Sequence, residues 1–181
     1  MRKDIAPGIF TIADVLTAEE CRELIAWSES LGYEMAPVTL ESGFVQRPDI
    51  RNNTRAMVDA PERAQQIWSR IAADVSSIFR DRRVVGLNER LRFYRYDPGQ
   101  RFAPHTDGSF RRENGEESLL TLMIYLSGGA RGGETRFEDA SVTPEPGLAL
   151  LFDHYLLHEG APVSEGRKYV LRSDVMYAPA S

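Results

Sequence analysis

After residue 83 the apolar residues stop recurring at helical spacing. They gather instead in short β-rich runs, VVGLN, LRFYRY, LLTLMIYL, GETRFE, LALLFD and KYVLRSDVMY, divided by Gly, Pro and Asp. Runs of this length between turn-forming residues predict a mostly antiparallel sheet. Two helices are predicted before them. In TAEECRELIAWSESLG, Thr17 and Glu20 form a capping box, Gly32 supplies the stop, and Leu16, Cys21, Leu24, Ile25 and Leu31 roughly share one face. In APERAQQIWSRIAADVSSIFR, Pro61 lies in the first turn, and Ala64, Ile67, Trp68, Ile71, Val75, Ile78 and Phe79 form an apolar stripe that predicts one amphipathic helix over 60–80. Helices first and strands after, without βαβ alternation, give an α+β chain, mainly β: a sandwich or barrel braced by two helices.

At 181 residues and 42% hydrophobic, the chain is expected to fold as one domain over 1–181. Within it, 1–83 is the helical support with a substrate-loop region, and 84–177 is the β core. ESGFVQRPDIRNNTR, residues 41–55, is the expected surface loop. The net charge of −5 offers no general attraction for phosphate backbones, so no nucleic-acid partner is expected, and a small or neutral partner fits better. No apolar run approaches the roughly 20 residues of a membrane span. Cys21 is the single cysteine and cannot form an internal disulfide, and MRKDIAPGIF lacks the apolar stretch of a signal peptide. The expected location is therefore cytoplasmic.

The chain has three histidines, and one of them stands in FAPHTDGSF. On extended backbone, residues two apart point to the same side, so His105 and Asp107 can converge while Thr106 faces away. The fifty residues that follow hold enough short strands for the chain to return beside its start with His158. Two imidazoles and one carboxylate suit Fe(II), because they fill three of six positions and leave three open. A closed zinc site is disfavoured, since it needs a fourth protein ligand and no thiolate is present nearby. His154 and His158 have the spacing of a helical two-histidine zinc site, but the order His-Glu-x-x-His is absent. His154 is expected to be satisfied by local hydrogen bonds.

LRFYRYDPGQRFAPHTDGSF, LTLMIYLSGGARGGETRFE and PGLALLFDHYLLHEGAPVSEGRKYVLRSDVMY together resemble the Fe(II)- and 2-oxoglutarate-dependent dioxygenases, prolyl 4-hydroxylase-like branch. The likeness covers about residues 84–177. It rests on a tyrosine-containing strand with a Gly-Gln turn before His-x-Asp, a Tyr-Leu strand end, Gly-Gly-Glu-Thr, and a histidine followed ten residues later by lysine. The resemblance implies a double-stranded β-helix, or jelly roll, with His105, Asp107 and His158 as both catalytic and metal ligands. It places Lys168 against the distal carboxylate of 2-oxoglutarate, Tyr125 as a hydrogen-bond donor to it, and Tyr96 and Thr135 along the cosubstrate pocket. Arg172 shares a strand face with Lys168 and Asp174, about 13 Å along from Lys168. It is assigned to the substrate or the metal-proximal carboxylate, and is the alternative base for the distal one; pairing with Asp174 is its purely structural role.

The implied reaction hydroxylates an aliphatic C–H bond with Fe(II), 2-oxoglutarate and O2, ascorbate being an optional accessory, and releases succinate and CO2. The substrate class is a prolyl or other residue of a peptide or protein, or a free amino acid. Arg51, Asn53 and Arg55, with Asn52 between them, stand where relatives carry a substrate-covering segment. Arg92, Tyr94 and Tyr96 share one strand face and Arg95 the other, so no substrate contact is expected of Arg95. Glu159 is expected to be structural. Two other readings compete: a catalytically silent metal-binding jelly roll acting as a sensing or binding module, and repair of alkylated nucleic acid, which the acidic balance opposes.

Overall fold

The computed structural model describes residues 1–40 and 43–179. Its largest sheet is antiparallel and ten-stranded. Along its main path the order is Arg2–Ala6, Ile9–Ile12, Ala149–Asp153, Glu117–Tyr125, Lys168–Pro179, Arg90–Tyr96, Thr54–Asp59 and Glu34–Met35. Arg82–Leu87 pairs with the C-terminal half of Lys168–Pro179, and Ile78–Phe79 pairs with Arg82–Leu87. A smaller sheet, ordered Phe102–His105, His158–Gly160, Thr135–Phe137 and Ser141–Val142, faces it and closes the jelly roll.

Strand parity decides which side chains see helices and which see the barrel interior. In Arg90–Tyr96, Leu91 and Phe93 join the core beneath the helices, while Tyr94 and Tyr96 join the core between the sheets. In Glu117–Tyr125, Leu122 and Ile124 face the helices, and Met123 and Tyr125 face the interior. The central strand Lys168–Pro179 follows the same rule, with Leu171 under the helices and Val170 inside. A strand covered on both faces reads as a continuous apolar run, which accounts for LLTLMIYL. Each fully buried Leu, Ile or Phe contributes about 1.5–3 kcal/mol. That burial makes the sheet a rigid platform for polar groups at the remaining interior positions.

Helix α1 spans Ala18–Leu31 and starts at the expected capping box: Thr17 Oγ1 accepts from Glu20 N, and Glu20 Oε2 accepts from Thr17 N. Gly32, at φ +80°, ends it. Leu31 departs from the expected face and is exposed, because it falls in the last turn beyond the sheet. Glu20 also receives Arg70 at 2.6 Å, which ties α1 to the second helix, α2, at Pro61–Ile71. Trp27 meets Phe93 edge-on, with ring centroids 5.5 Å apart.

α2 is shorter than its apolar stripe predicts. The chain passes through a 3-10 turn at Ala72–Asp74, becomes extended at Val75, and enters the Ile78–Phe79/Arg82–Leu87 hairpin through left-handed Arg80 and Asp81. Val75 is buried and Phe79 packs on Tyr177, but Ile78 is exposed, as hairpin alternation requires. The β-branched Val75 and Ile78 with Ser76 and Ser77 weaken helix continuation, and pairing with the sheet captures the segment.

The N-terminal region is more than a helical support, since Arg2–Ala6 and Ile9–Ile12 extend the main sheet on one side and Thr54–Asp59 and Glu34–Met35 on the other. The expected loop at 41–55 is likewise not one loop. Glu41 and Ser42 lie outside the described residues, Gly43–Val45 forms a short strand, Arg51 bridges Phe102, and Thr54 begins the Thr54–Asp59 strand. No helix among the described residues is long and apolar enough to cross a membrane.

Candidate metal and cosubstrate site

His105 and His158 are direct partners across the antiparallel pair Phe102–His105/His158–Gly160. Strand pairing alone therefore sets the two imidazoles side by side, with ring centroids 4.3 Å apart. Asp107 follows the strand end, where its backbone N–H donates to the His154 carbonyl at 2.9 Å. That bond turns the carboxylate back toward both rings. Asp107 Oδ1 lies 3.7 Å from His105 Nε2, and Oδ2 lies 3.7 Å from His158 Nε2. One ligand atom from each residue falls within 4.8 Å of the others.

The protonation pattern suits a cation. Nδ1 of His105 lies 2.8 Å from the Ala103 carbonyl, and Nδ1 of His158 lies 3.0 Å from that of Leu156. A carbonyl only accepts, so each Nδ1 carries the proton and each Nε2 presents its lone pair. Burial is the main cause lowering both imidazoles, His105 to about 3, so both are neutral near pH 7. Burial opposes the charge on Asp107. The Arg172 guanidinium, the two histidines and the Thr121 hydroxyl more than offset it and hold the carboxyl well below its usual range. Two neutral nitrogens and one carboxylate oxygen, without a thiolate, fit Fe(II) bound on one face.

The remaining lone pairs of Asp107 are organised by groups that sequence reading did not identify. Thr121 Oγ1 donates to Asp107 Oδ2 at 2.5 Å. Its one proton thus spent, Thr121 accepts from Nδ1–H of His154 at 2.9 Å, and His154 Nε2 accepts from the Ser118 hydroxyl at 2.9 Å. Ser118 Oγ in turn accepts from Phe110 N–H. His154 is therefore a neutral, doubly bonded support and not a ligand. The available signal was Thr121 itself, a hydroxyl interrupting LLTLMIYL at the parity of Met123 and Tyr125.

Arg172 approaches the other oxygen of Asp107, with Nη2 3.1 Å from Oδ1 and 3.3 Å from Asp174 Oδ1, while Nη1 donates to the Tyr94 hydroxyl at 3.2 Å. The strand thus sets Arg172 at the metal end and Lys168 at the far end of the same cleft. Arg92 completes the pairing of Asp174 at 2.9 Å. Burial alone would raise the Tyr94 phenol, but Arg172, Arg51 and Arg92 pull it down to about 8.

Lys168 is 1% exposed. Its Nζ donates to the Gly133 carbonyl at 2.6 Å and lies 4.9 Å from the Tyr96 ring and 5.6 Å from that of Tyr125. Burial lowers the amine to about 7, and no carboxylate among the described residues forms an ion pair with it. Gly133 has φ +75°, and a Cβ there would stand 3.1 Å from Lys168 Cδ, which explains the glycine in Gly-Gly-Glu-Thr. Tyr125 and Thr135 share a hydrogen bond of 2.7 Å beside the lysine. Tyr96, Thr135, Gly160 and Lys168 line one cleft together with His105, Asp107, His158 and Arg172. A small dianion spanning from the metal ligands to a buried ammonium matches that distribution of charge.

Of the expected substrate residues, Arg51 and Asn53 are buried, and Arg55 stands opposite Tyr94 in the strand pairing. Asn52 Oδ1 accepts from Arg101 N–H, in a turn beside the cleft-bearing strand. Arg95 points to the helix side, where it meets Glu29 at 3.0 Å, and Glu159 lies near Arg136.

The family model described as the 2OG-Fe(II) oxygenase superfamily matches residues 91–173, from the Tyr94/Tyr96 strand through all three ligands to Arg172. This match and the prolyl 4-hydroxylase relatives together support a 2OG-Fe(II) oxygenase for this chain. It is a 2-oxoglutarate-dependent dioxygenase of the prolyl 4-hydroxylase-like kind, and the probable prolyl 4-hydroxylase 3 of Arabidopsis thaliana is 28% identical over 90% of this chain and 67% of its own length. This dioxygenase thus spans about two thirds of the length of the curated relatives it matches. Its fold is shared with a viral collagen prolyl hydroxylase of Paramecium Bursaria Chlorella virus-1 in complex with 2OG, at TM-score 0.65 and 22% identity, over 94% of this chain and 96% of the other. A Trichoplax adhaerens prolyl hydroxylase, solved with a hypoxia inducible factor peptide fragment, overlays at TM-score 0.67 and 17% identity, over 93% and 83%.

Proposed function

We propose that this dioxygenase is catalytically active and hydroxylates an aliphatic carbon, of a prolyl or other residue in a peptide or protein or of a free amino acid. One oxygen atom of O2 enters the new alcohol and the other enters succinate, as 2-oxoglutarate loses CO2. The observation that carries this reading is the pairing of an intact three-ligand cluster with a buried lysine that has a single neutral acceptor. A silent binding module has no physical need for such a cation, whose desolvation is a standing penalty of several kcal/mol until an anion meets it.

When bound, Fe(II) with 2-oxoglutarate supplies the activation of dioxygen and the oxidising power for C–H cleavage. His105, Asp107 and His158 would hold the ion on one side. Lys168, supported by Gly133 and the Tyr125–Thr135 pair, would hold the distal carboxylate and so set the direction of the cosubstrate. Thr121 and Arg172 fix the orientation of Asp107 from opposite oxygens. The apolar walls, including Phe102 and Met123, limit water at the reacting carbon.

The prolyl 4-hydroxylase relatives, 28% and 26% identical over about nine tenths of this chain, support a prolyl-type carbon as substrate. The test is succinate formation from 2-oxoglutarate by purified protein with Fe(II) and O2. Conversion that disappears in Asp107→Ala supports the activity, whereas tight metal binding without succinate for any tested peptide or amino acid would favour the silent module.

A further inference from the structure

Arg51 is 5% exposed and has no carboxylate within ion-pair distance among the described residues. Its neighbours in the same region are paired: Arg92 with Asp174, Arg95 with Glu29, and Arg172 with Asp107 and Asp174. The Arg51 guanidinium instead lies between two aromatic rings, 4.4 Å from the centroid of Tyr94 and 4.3 Å from that of Phe102. Nε donates to Asn53 Oδ1 at 2.7 Å, and Nη2 is buried without a hydrogen-bond partner. Asn53, wholly buried, is locked by its own bond from Nδ2 to the Thr54 carbonyl.

This group is held rigidly next to the reacting centre. Tyr94 and Phe102 are both walls of the metal cleft, and the Phe102 ring stacks on His105 at 3.5 Å between centroids. The segment carrying Arg51 is fastened to the strand carrying His105 by Ala103 N–H to the Ile50 carbonyl, by Asn52 N–H to the Arg101 carbonyl, and by the Arg51–Phe102 bridge. A buried guanidinium without a counter-charge is destabilising. Two ring faces and one amide oxygen orient it but leave its charge unmatched. The two carboxylates of 2-oxoglutarate already have takers in the metal with its neighbours and in Lys168.

We infer that Arg51 is a specificity-determining residue that receives a carboxylate of the substrate through its free Nη2 edge. The substrate is then a free acid, an amino acid or a chain-terminal residue, and not an interior residue of a polypeptide. The inference rests on the hydroxylase reading above and narrows it to one substrate chemistry. Neutral amide groups cannot match the charge, which gives discrimination between acid and amide at little cost in reach.

The experiment compares the twenty L-amino acids, their primary amides, and prolyl peptides with the proline either interior or C-terminal, as stimulants of succinate formation. The expected result is stimulation by one or more free acids, or by the C-terminal prolyl peptide, and none by the corresponding amides or the interior peptide. Free acids separate a small-molecule substrate from a chain terminus, which only the C-terminal peptide represents. Arg51→Gln should raise the KM of the stimulating acid by about 100-fold, and Arg51→Lys should recover part of the loss. Should Arg51→Gln fail to fold, the acid and amide comparison on the unaltered protein decides alone. Equal stimulation by acid and amide, stimulation by the interior peptide only, or no stimulation by any acid overturns the assignment. Absence of all Fe(II)-dependent succinate formation, with or without stimulants, would instead defeat the hydroxylase reading on which it stands.

Discussion

Thr121 gives its hydroxyl proton to Oδ2 of Asp107 across 2.5 Å, so the position of a carboxylate at the edge of the barrel is set from the middle of its most buried strand. Thr121→Val keeps the shape and removes the donor. The expected result is an apparent Fe(II) affinity for succinate formation lower by about 10–100-fold. Stability should fall by about 1–3 kcal/mol, because Nδ1–H of His154 loses its acceptor. Thr121→Ser should restore most of both. Unchanged Fe(II) dependence in a folded Thr121→Val variant would show that Asp107 is oriented by Arg172 alone.

Lys168 gives a pH dependence with a definite sign. Burial holds its pKa near 7 without an anionic partner, below the ordinary lysine value of 10.5. The unfolded chain therefore binds more protons between those values, and this residue's contribution to stability rises with pH across that window. Pairing with a carboxylate raises the pKa again, so 2-oxoglutarate binding takes up a proton above pH 7 and weakens as pH increases. Calorimetry at pH 8 in buffers of different ionisation enthalpy should detect that uptake in the unaltered protein and not in Lys168→Met.

Gly133→Ala tests the ceiling over the same lysine. Its left-handed backbone and the 3.1 Å approach of a Cβ to Lys168 Cδ both oppose a side chain. The variant should raise the KM for 2-oxoglutarate several-fold more than it changes Fe(II) binding. Equal effects on both would mean that the strain spreads beyond the lysine.

Much of this arrangement was legible as residue spacing. Strand parity placed Lys168 and Arg172 on one face, and put Arg95 on the opposite side from Tyr94 and Tyr96. What was not legible depends on partners remote in sequence. RKDIAPGIFTI carries charge and proline, yet Arg2–Ala6 and Ile9–Ile12 become strands because Ala149–Asp153 offers an open edge. Val75, Ile78 and Phe79 continue a helical stripe by coincidence, since a half-buried hairpin uses them in two-residue alternation. Asn53 reads as a turn residue, but it is wholly buried and serves as an acceptor for Arg51. His154 could be read as satisfied, although nothing local showed that its partner supports a metal ligand.

The helical brace makes a separate prediction. Glu20, held by Arg70 first and by the Thr17 backbone next, has its carboxyl lowered to about 2. Its stabilising contribution is present above the ordinary glutamate value and is lost as pH falls through that lowered value. Thr17→Ala removes the cap hydroxyl and should cost about 1 kcal/mol in denaturant unfolding at pH 7, with succinate formation unaffected. A loss well above that figure would mean that the cap also supports the α1–α2 contact.

The central claim is that strand pairing brings His105 and His158 together, and that with Asp107 they hold one ferrous ion. Anaerobic calorimetric titration with Fe(II) tests it most directly. The unaltered protein should bind one ion per chain, and Asp107→Ala and His158→Ala, folded by circular dichroism, should each lose that binding by at least about tenfold. Unchanged affinity and stoichiometry in those two variants would contradict the account.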